Sequence, residues 1–294
     1  MDDISGHLIS VGSDTLHDDM VRWGNAFMAL YPNVKIEVRG EGSVTATPAL
    51  VDGIAQFGPM SRPMSNDEVQ AFVDKFGYKA AHFRVAVDAL AIYVNKDNPI
   101  RCLTVQQVNR IFSVNRRAAF GGDISTWGQA GLTGDWATQP IVLYGRNTIS
   151  GTYGFFKEMA LLDGDFKPSV RQQSGSEEVV QHVANEKYAI GYSGIGFKTA
   201  GVRAVPLALA DGLQCYDTSP EMTYAGKYPF ARLLYVYFNK KPNEPLDPLR
   251  AEFIKYIHSK DGQTQTERGG FYSITAKDRQ EDQKLLGLIA PDGQ

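Results

Sequence analysis

Serine, threonine and glycine follow a predicted strand in the segment GRNTISGTYGFFKE, and an arginine stands close before them. Arg146 lies four residues ahead of Ser150-Gly151-Thr152, where a helical pattern begins. A helix N-terminus leaves backbone N–H groups without intrahelical partners and carries partial positive charge. With two hydroxyls and a planar guanidinium beside those groups, the segment predicts a site for a tetrahedral oxyanion. The alternative is an ordinary capped helix with a surface arginine.

A second strand end carries the same residue types. The apolar strand in HLISVGSDTL ends at Gly12, and Ser13, Asp14 and Thr15 follow it. Ser13 or Asp14 could cap the next helix, as short polar side chains often do. Apolar residues then recur at helical spacing: Leu16, Met20, Trp23, Phe27 and Leu30.

Two more strands end in polar turns. An alternating strand runs into the glycine-rich turn 40–43, whose glycines allow close approach of the backbone to another group. Ser61 and Arg62 follow a short strand, and Ser65 with Glu68 predicts a capping box for the helix beyond. The cap explains Ser65 but gives Ser61 no role. The strand and helix order from residue 7 to about residue 77 predicts a parallel sheet, so these turns are expected to converge on a pocket.

Composition limits the class of protein. A chain of 294 residues exceeds the usual size of a single core, and a hydrophobic content of 43% is ample for two lobes. The net charge of −3 argues against a nucleic-acid binder. The five histidines show no metal-ligand spacing, so no metal site and no cofactor are expected.

Cysteine usage and the N-terminus bear on the compartment. Cys102 and Cys215 permit one disulfide but do not require it. The sequence contains no apolar run of transmembrane length and no hydrophobic core of a signal peptide. Because polar Asp2 and Asp3 follow Met1 directly, we expect that an export signal has been removed and that the protein works outside the cytoplasm, in the periplasm, with or without a lipid anchor.

Six segments of the chain, in this order, resemble the phosphate-binding proteins of high-affinity phosphate ABC transporters. They are VGSDTL, GEGSVTATPAL, FGPMSRPMS, VAVDALAIYVNKDNP, LYGRNTISGTYGFF and YAIGYSGIGFKTA. The resemblance covers nearly the whole chain. It implies an α/β fold of the type II periplasmic-binding-protein class, with two lobes that close around inorganic phosphate, each a mixed, mainly parallel sheet flanked by helices.

The resemblance also implies the lobe boundaries. Lobe I comprises residues 1–97 and 229–294, lobe II comprises 98–228, and the strands near 85–97 and 229–241 act as hinges beside the ligand cleft. In lobe II, Thr104 with Gln107 predicts a second capping box. In lobe I, the apolar stripe of the helix near 249–257 predicts packing against the core.

Carried over position by position, the family's phosphate contacts fall on the turns described above: Thr15, Leu16 through its N–H, Ser43, Ser61, Arg146, Ser150, Gly151 and Thr152. In well-known members an aspartate accepts the proton of hydrogen phosphate and so excludes sulfate, and Ser61 stands at that position here. Asp14 and Asp88 are candidate replacements, and Arg62 is a further candidate contact. Asp14 has the alternative role of an N-cap. Asp88 lies in an apolar strand, where a carboxylate needs partners, and we expect it to face a polar cleft or hinge.

The resulting function is binding without catalysis. The resemblance implies delivery of phosphate by a monomer to an ABC importer, whose permease and ATPase lie in the inner membrane. One alternative is a binding protein for another tetrahedral oxyanion such as sulfate or molybdate, and another is a surface scaffold or adhesin derived from the fold. An enzyme acting on phosphate esters would need a metal or an activated nucleophile, and neither is visible in the sequence.

Overall fold

The computed structural model describes residues 4–117 and 121–290. Met1 to Asp3, on which the expectation about the export signal depends, lie outside the described residues. The helices are α1 (His17–Leu30), α2 (Ala46–Val51), α3 (Asn66–Phe76), α4 (Val105–Phe112), α5 (Gly151–Leu161), α6 (Ser176–Asn185), α7 (Pro220–Tyr224), α8 (Pro248–His258), α9 (Lys260–Arg268) and α10 (Ala276–Leu285). The strands are β1 (Gly6–Val11), β2 (Val34–Arg39), β3 (Gly58–Met60), β4 (Ala81–Asn95), β5 (Leu103–Thr104), β6 (Val142–Arg146), β7 (Arg171–Gln173), β8 (Ala189–Gly194), β9 (Val202–Ala204), β10 (Leu207–Ala208) and β11 (Ala231–Phe238).

The chain folds as two compact units. The first unit holds the described residues up to Val87, the segment Ile149–Gly151 and the described residues from Leu233 onward, and the second holds Asp88–Thr148 and Thr152–Arg232. Strands β4 and β11 and helix α5 therefore each have residues in both units. Whether the two units act as hinged lobes stays a prediction.

In the first unit, strands β1 and β2 pair in parallel, from Gly6 opposite Val34 to Val11 opposite Arg39. Strand β3 pairs antiparallel with β11 in this unit, and an isolated parallel bridge joins Ser10 to Phe57, directly before β3. The carboxyl ends of β1, β2 and β3 each lead into one of the polar turns that the sequence analysis selected.

The apolar face of α1 enters the core of the first unit. The side chains of Leu16, Met20, Trp23 and Phe27 are fully buried, whereas Leu30 is 61% exposed. Leu30 is the last residue of α1, and it is Tyr31 that packs against Phe27, with ring centroids 4.5 Å apart. From α8, Phe253, Ile254 and Ile257 are fully buried, which confirms the predicted packing helix.

The second unit is a mixed sheet. Strand β8 lies parallel to β6, which lies parallel to β7, while β4 runs antiparallel to β8 and to β9. Strands β5 and β10 form a short parallel pair of their own. The α/β class with mixed sheets and flanking helices is thus confirmed.

Both predicted capping boxes are present. Ser65 Oγ accepts from the N–H of Glu68, whose carboxylate accepts from the N–H of Ser65. Thr104 and Gln107 make the same reciprocal pair at the start of α4. These helix starts could be predicted because the interactions that fix them lie within three residues.

Cys102 and Cys215 form a disulfide within the second unit, with Cα atoms 6.2 Å apart. Cys102 directly precedes β5, and Leu207 of β10 exchanges two backbone hydrogen bonds with Tyr216, next to Cys215. Because β5 and β10 pair, the two cysteines are brought together, which settles a pairing that the sequence left open. Among the helices of the described chain, none combines the length and apolarity that a membrane crossing needs.

Candidate functional site

The predicted contact residues fall into two groups, one in each unit. The group in the first unit consists of Thr15, Leu16, Ser43, Ser61, Ser150 and Gly151, and the group in the second unit consists of Arg146 and Thr152. All of these polar side chains are at most 1% exposed. Burial of so many hydroxyls is costly unless each has a polar partner.

Ser43 and Ser61 lie against each other in the first unit. The N–H of Ser61 donates to Ser43 Oγ over 3.0 Å, and the two Oγ atoms are 3.2 Å apart. Since Ser43 Oγ already accepts from a backbone N–H, the geometry favours its hydroxyl as a donor towards a further oxygen.

Backbone hydrogen bonds join the turns that carry these serines. The N–H of Gly42 donates to Gly12 O over 2.8 Å, and the N–H of Ser13 donates to Pro59 O over 2.8 Å. Gly42 has a φ of 137°, a conformation that favours glycine, and so lets Ser43 turn back towards the end of β1. The turns after β1, β2 and β3 are thereby held as one group, as the sequence analysis expected.

The segment Ile149–Gly151 approaches the same serines closely. The N–H of Val44 donates to Ile149 O over 3.2 Å. A Cβ atom on Gly151 would overlap Ser43 Oγ and lie 2.6 Å from Ser61 Oγ. Only glycine fits here, and the backbone of Gly151, the first residue of α5, therefore lies next to two buried hydroxyls.

Thr15 and Leu16 are buried in the turn before α1. The helix begins at His17, and its N-cap residue, Leu16, makes no side-chain cap. Instead, Ser13 Oγ accepts from the N–H of Leu16 over 3.4 Å, inside the turn. Asp14 lies half-buried in that turn, and its backbone carbonyl accepts from the N–H of His17. These two hydrogen bonds close a turn directly before α1, and the helix starts after it.

Arg146, at the end of β6, is fully buried in the second unit. Its guanidinium donates to Ser176 Oγ over 2.6 Å, to Ser174 O over 2.7 Å and to Gln173 O over 3.4 Å. Its backbone N–H donates to the hydroxyl of Tyr192, whose pKa is raised by burial. The acceptors in these three side-chain contacts carry no formal charge, and, besides a hydrogen bond from Ser174, the charge of Arg146 helps to lower the pKa of the nearby Glu178.

The segment Ser174–Ser176 has a second role at the start of α6. Glu178 accepts from Ser174 Oγ over 2.9 Å and from the N–H of Ser174 over 3.2 Å. The hydrogen bond from the Ser174 side chain lowers the pKa of Glu178. The segment therefore forms the start of α6 with Glu178 and at the same time binds the guanidinium of Arg146.

Asp88 is fully buried and paired with Arg232, a residue that sequence reasoning missed. Asp88 Oδ2 accepts from Arg232 Nε over 2.8 Å and lies 2.7 Å from Arg232 Nη2 in an ion pair, while Oδ1 accepts from the N–H of Ile195 over 2.9 Å. Asp88 thus has the partners that a buried carboxylate needs, and it lies where β4 passes from the first unit to the second; its place at a polar cleft or hinge stays a prediction. A lone arginine in one apolar strand and a lone aspartate in another were the signal that could have found this pair.

Arg62 is bound to the capping residue of the next helix. Its Nη1 donates to Glu68 Oε2 over 2.6 Å and its Nη2 donates to Glu68 Oε1 over 2.9 Å. This two-point pairing uses the fork geometry of the guanidinium on a carboxylate of the protein. Arg62 therefore has a structural explanation that the sequence analysis did not consider.

The two groups share one chemistry. Hydroxyls, helix N-terminal N–H groups and one guanidinium are donors suited to oxyanions, and they supply neither a nucleophile with an adjacent base nor a set of metal ligands. Within residues 4–117 and 121–290, no cluster of three or more His, Cys, Asp or Glu side chains is placed to hold a metal ion.

Comparisons with known proteins identify the family. The family model of the PBP superfamily domain matches residues 2–261. The chain is 52% identical over 285 residues to the phosphate-binding protein PstS of Pseudomonas aeruginosa (strain PAO1), covering 97% of this chain and 88% of that protein. Two solved structures are similar in fold. One is a putative phosphate ABC transporter substrate-binding protein with bound phosphate from Clostridium perfringens (TM-score 0.76, 24% identity, 92% of this chain and 100% of that chain). The other is a possible phosphate-binding protein from Planctomyces limnophilus (TM-score 0.68, 26% identity, 97% and 98%).

These matches span nearly the whole chain and confirm the predicted periplasmic-binding-protein fold. The chain belongs to the PBP superfamily and, within it, to the family of phosphate-binding proteins PstS.

Proposed function

We propose that this protein binds inorganic phosphate and delivers it to an ABC-type importer. The observation that carries the proposal is the convergence of Ser43 and Ser61 on Gly151, which puts two buried hydroxyls beside the first residue of a helix. The P. aeruginosa relative, named a phosphate-binding protein, is similar over 97% of this chain. Phosphate is a tetrahedral oxyanion of the kind that such donors accommodate.

The proposed ligand contacts are eight residues of the polar turns: Thr15, Leu16, Ser43, Ser61, Arg146, Ser150, Gly151 and Thr152. Leu16 and Gly151 contribute backbone N–H groups, the serines and threonines contribute hydroxyls, and Arg146 contributes charge. Arg62 and Asp88 are not included, because Glu68 and Arg232 engage them. Asp14 stays as the candidate carboxylate for the ligand's proton, since no carboxylate stands at position 61.

The mechanism is a change in population without a chemical step. A ligand that binds one conformation more tightly than another shifts the protein towards that conformation, and a transporter that recognises the liganded form receives the cargo. We further propose that the protein is a monomer, that it works outside the cytoplasm and that it has no catalytic activity. Its proposed partner is a membrane permease with an ATPase. Transport substrate-binding proteins are not a class of enzymes, and this chain's family is of that class.

Calorimetric titration of phosphate tests the proposal. The protein is unfolded and refolded to strip carried-over ligand, then titrated with phosphate alone and again in the presence of a large excess of sulfate. Saturable heat with phosphate that survives the sulfate is the expected result. Heat with sulfate or molybdate but none with phosphate would assign the protein to another oxyanion, and no heat with any of them would leave a scaffold built on the fold.

A further inference from the structure

Arg232 lies next to one proposed ligand residue without belonging to the polar turns. Its Nη1 donates to Thr152 Oγ1 over 3.1 Å, Nε donates to Asp88 Oδ2 over 2.8 Å, and Nη2 lies 2.7 Å from the same carboxylate oxygen. The guanidinium carbon also lies 5.4 Å from the centroid of the Phe155 ring, one turn further along α5. Asp88 and Thr152 are fully buried and Arg232 is 5% exposed. The arginine is therefore fixed on three sides by an aspartate, a threonine and an aromatic ring.

The chemistry of this contact sets the role of the Thr152 hydroxyl. A guanidinium has only donors, so at Thr152 Oγ1 the hydroxyl oxygen accepts. A hydroxyl whose oxygen accepts from a cation has its own proton directed away from that cation and is more acidic as a donor. Thr152 Oγ1 is thus oriented as a hydrogen-bond donor, the role that an oxyanion requires.

The charge of Arg232 acts locally. Asp88 lies against the guanidinium at 2.7 Å and compensates its charge, so the pair adds little net positive potential for an approaching anion. An effect of Arg232 on ligand binding must then act mainly through Thr152. Arg146 differs from Arg232, because its guanidinium donates to a hydroxyl and to two carbonyl oxygens.

The three residues also mark where the chain passes between the two units. Asp88 is the first residue of the second unit on β4, Arg232 is its last residue before Leu233 on β11, and Thr152 is its first residue after Gly151. One buried cluster within the second unit therefore joins residues at three of the four points where the chain passes between the units.

We propose that Arg232 is a positioning residue for phosphate binding: held by Asp88, it orients the Thr152 hydroxyl as a donor to the anion. The inference rests on the proposed function, because it needs phosphate as the ligand. Arg232 itself does not touch phosphate. Its contribution should disappear when Thr152 has no hydroxyl to orient.

A double-mutant cycle on phosphate affinity tests this, with wild type, Arg232→Gln, Thr152→Val and the double variant titrated calorimetrically. Each single change is expected to weaken phosphate binding about tenfold or more, the effect of a lost hydrogen bond to a charged group. In the Thr152→Val background, Arg232→Gln should change affinity by less than about threefold, since the two residues act as one unit. Independent, multiplicative effects would overturn the inference.

Arg84→Gln is the matched control. Arg84 lies on β4 in the first unit and, like Arg232, pairs with a buried aspartate, Asp282, at 2.7 Å. This variant should lower the unfolding temperature and leave phosphate affinity unchanged. If Arg232→Gln behaves in the same way, Arg232 is a purely structural residue and the inference is wrong.

Arg232→Lys covers the case in which the glutamine variant does not fold. Lysine keeps the charge beside Asp88 but cannot hold a carboxylate and a hydroxyl with the planar fork of arginine. The lysine variant should therefore fold and bind phosphate more weakly than wild type, whereas wild-type affinity would overturn the inference. No phosphate binding by wild type would instead overturn the proposed function, and this inference with it.

Discussion

The N–H of Ser61 donates to Ser43 Oγ, and the two hydroxyls lie 3.2 Å apart although 18 residues separate them in sequence. The contact fixes the turn after β3 against the turn after β2. Position 61 therefore carries a hydroxyl, which can both donate and accept. The resemblance implies that well-known members of the family have a carboxylate there, which only accepts. A substitution at Ser61 is therefore expected to change the selectivity between phosphate and sulfate.

Ser61→Asp should raise the ratio of phosphate to sulfate affinity about tenfold or more, because a carboxylate accepts the proton of hydrogen phosphate and repels an oxyanion without one. Competition calorimetry with both anions measures the ratio. Ser61→Asn is the matched control, since asparagine has nearly the same size as aspartate but no charge. A ratio that rises equally in both variants would show that volume, and not acceptor chemistry, sets selectivity.

Gly151→Ala should weaken phosphate binding and lower the free energy of unfolding by about 1–3 kcal/mol, the usual cost of overpacking. The added Cβ would overlap Ser43 Oγ and push the start of α5 away from both serines. Phosphate titration and denaturant unfolding measure the two effects. Gly122→Ala is the control, because Gly122 is exposed and a Cβ there meets nothing within 4 Å. Equal behaviour of the two variants would contradict the close approach.

Arg146→Ala should weaken phosphate binding by about 1.5–3 kcal/mol, the range for a hydrogen bond to a charged group. Arg146→Lys should recover only part of this, because an ammonium cannot hold the Ser176 hydroxyl and the Ser174 carbonyl with planar geometry. Arg171→Ala is the control, an arginine whose side chain is 57% exposed. Wild-type affinity in Arg146→Ala would remove Arg146 from the proposed contacts.

His258 should make stability depend on pH. Its Nε2 donates to Arg84 O over 2.9 Å, and burial lowers the pKa of the imidazole below its ordinary value of 6.5. Above about pH 6.5 the imidazole of His258 is neutral in both the folded and the unfolded protein, so it adds no pH dependence to the free energy of unfolding. As the pH falls below that value the unfolded chain binds the proton first, so the free energy of unfolding decreases.

Urea unfolding at about pH 5 and about pH 7.5 measures the effect. His258→Gln keeps an amide donor near the position of Nε2 and should reduce the loss of stability at the lower pH. His7→Gln changes an exposed histidine and serves as the control. If the pH dependence of stability is undiminished in His258→Gln, other groups cause it.

Removal of the disulfide should lower the free energy of unfolding without changing phosphate affinity. The bond spans 113 residues, for which chain entropy predicts about 4–5 kcal/mol, an upper value. The double change Cys102→Ala and Cys215→Ala is compared with wild type by denaturant unfolding and by phosphate titration. Lost affinity in a variant that stays folded would show that the bond also supports the ligand contacts.

The sequence by itself determined the features that depend on near neighbours. The capping boxes at Ser65 and Thr104 are correct because each is closed within three residues. The α/β class follows from alternating periodicities, and the polar strand ends after β1, β2 and β3 were selected because carboxyl ends of neighbouring parallel strands lie together. The resemblance to phosphate-binding proteins rested on the same local segments.

Only the tertiary structure decided the partners of the buried charges. Arg146 meets Ser176 across 30 residues, and Arg232 meets Asp88 across 144 residues. A buried charge takes whichever partner the neighbouring strands bring within hydrogen-bonding distance, and no local pattern records that neighbour. For the same reason the pairing of β5 with β10 decided the disulfide. Residue types at strand ends are written in the sequence, whereas contacts between distant segments exist only once the sheets have formed.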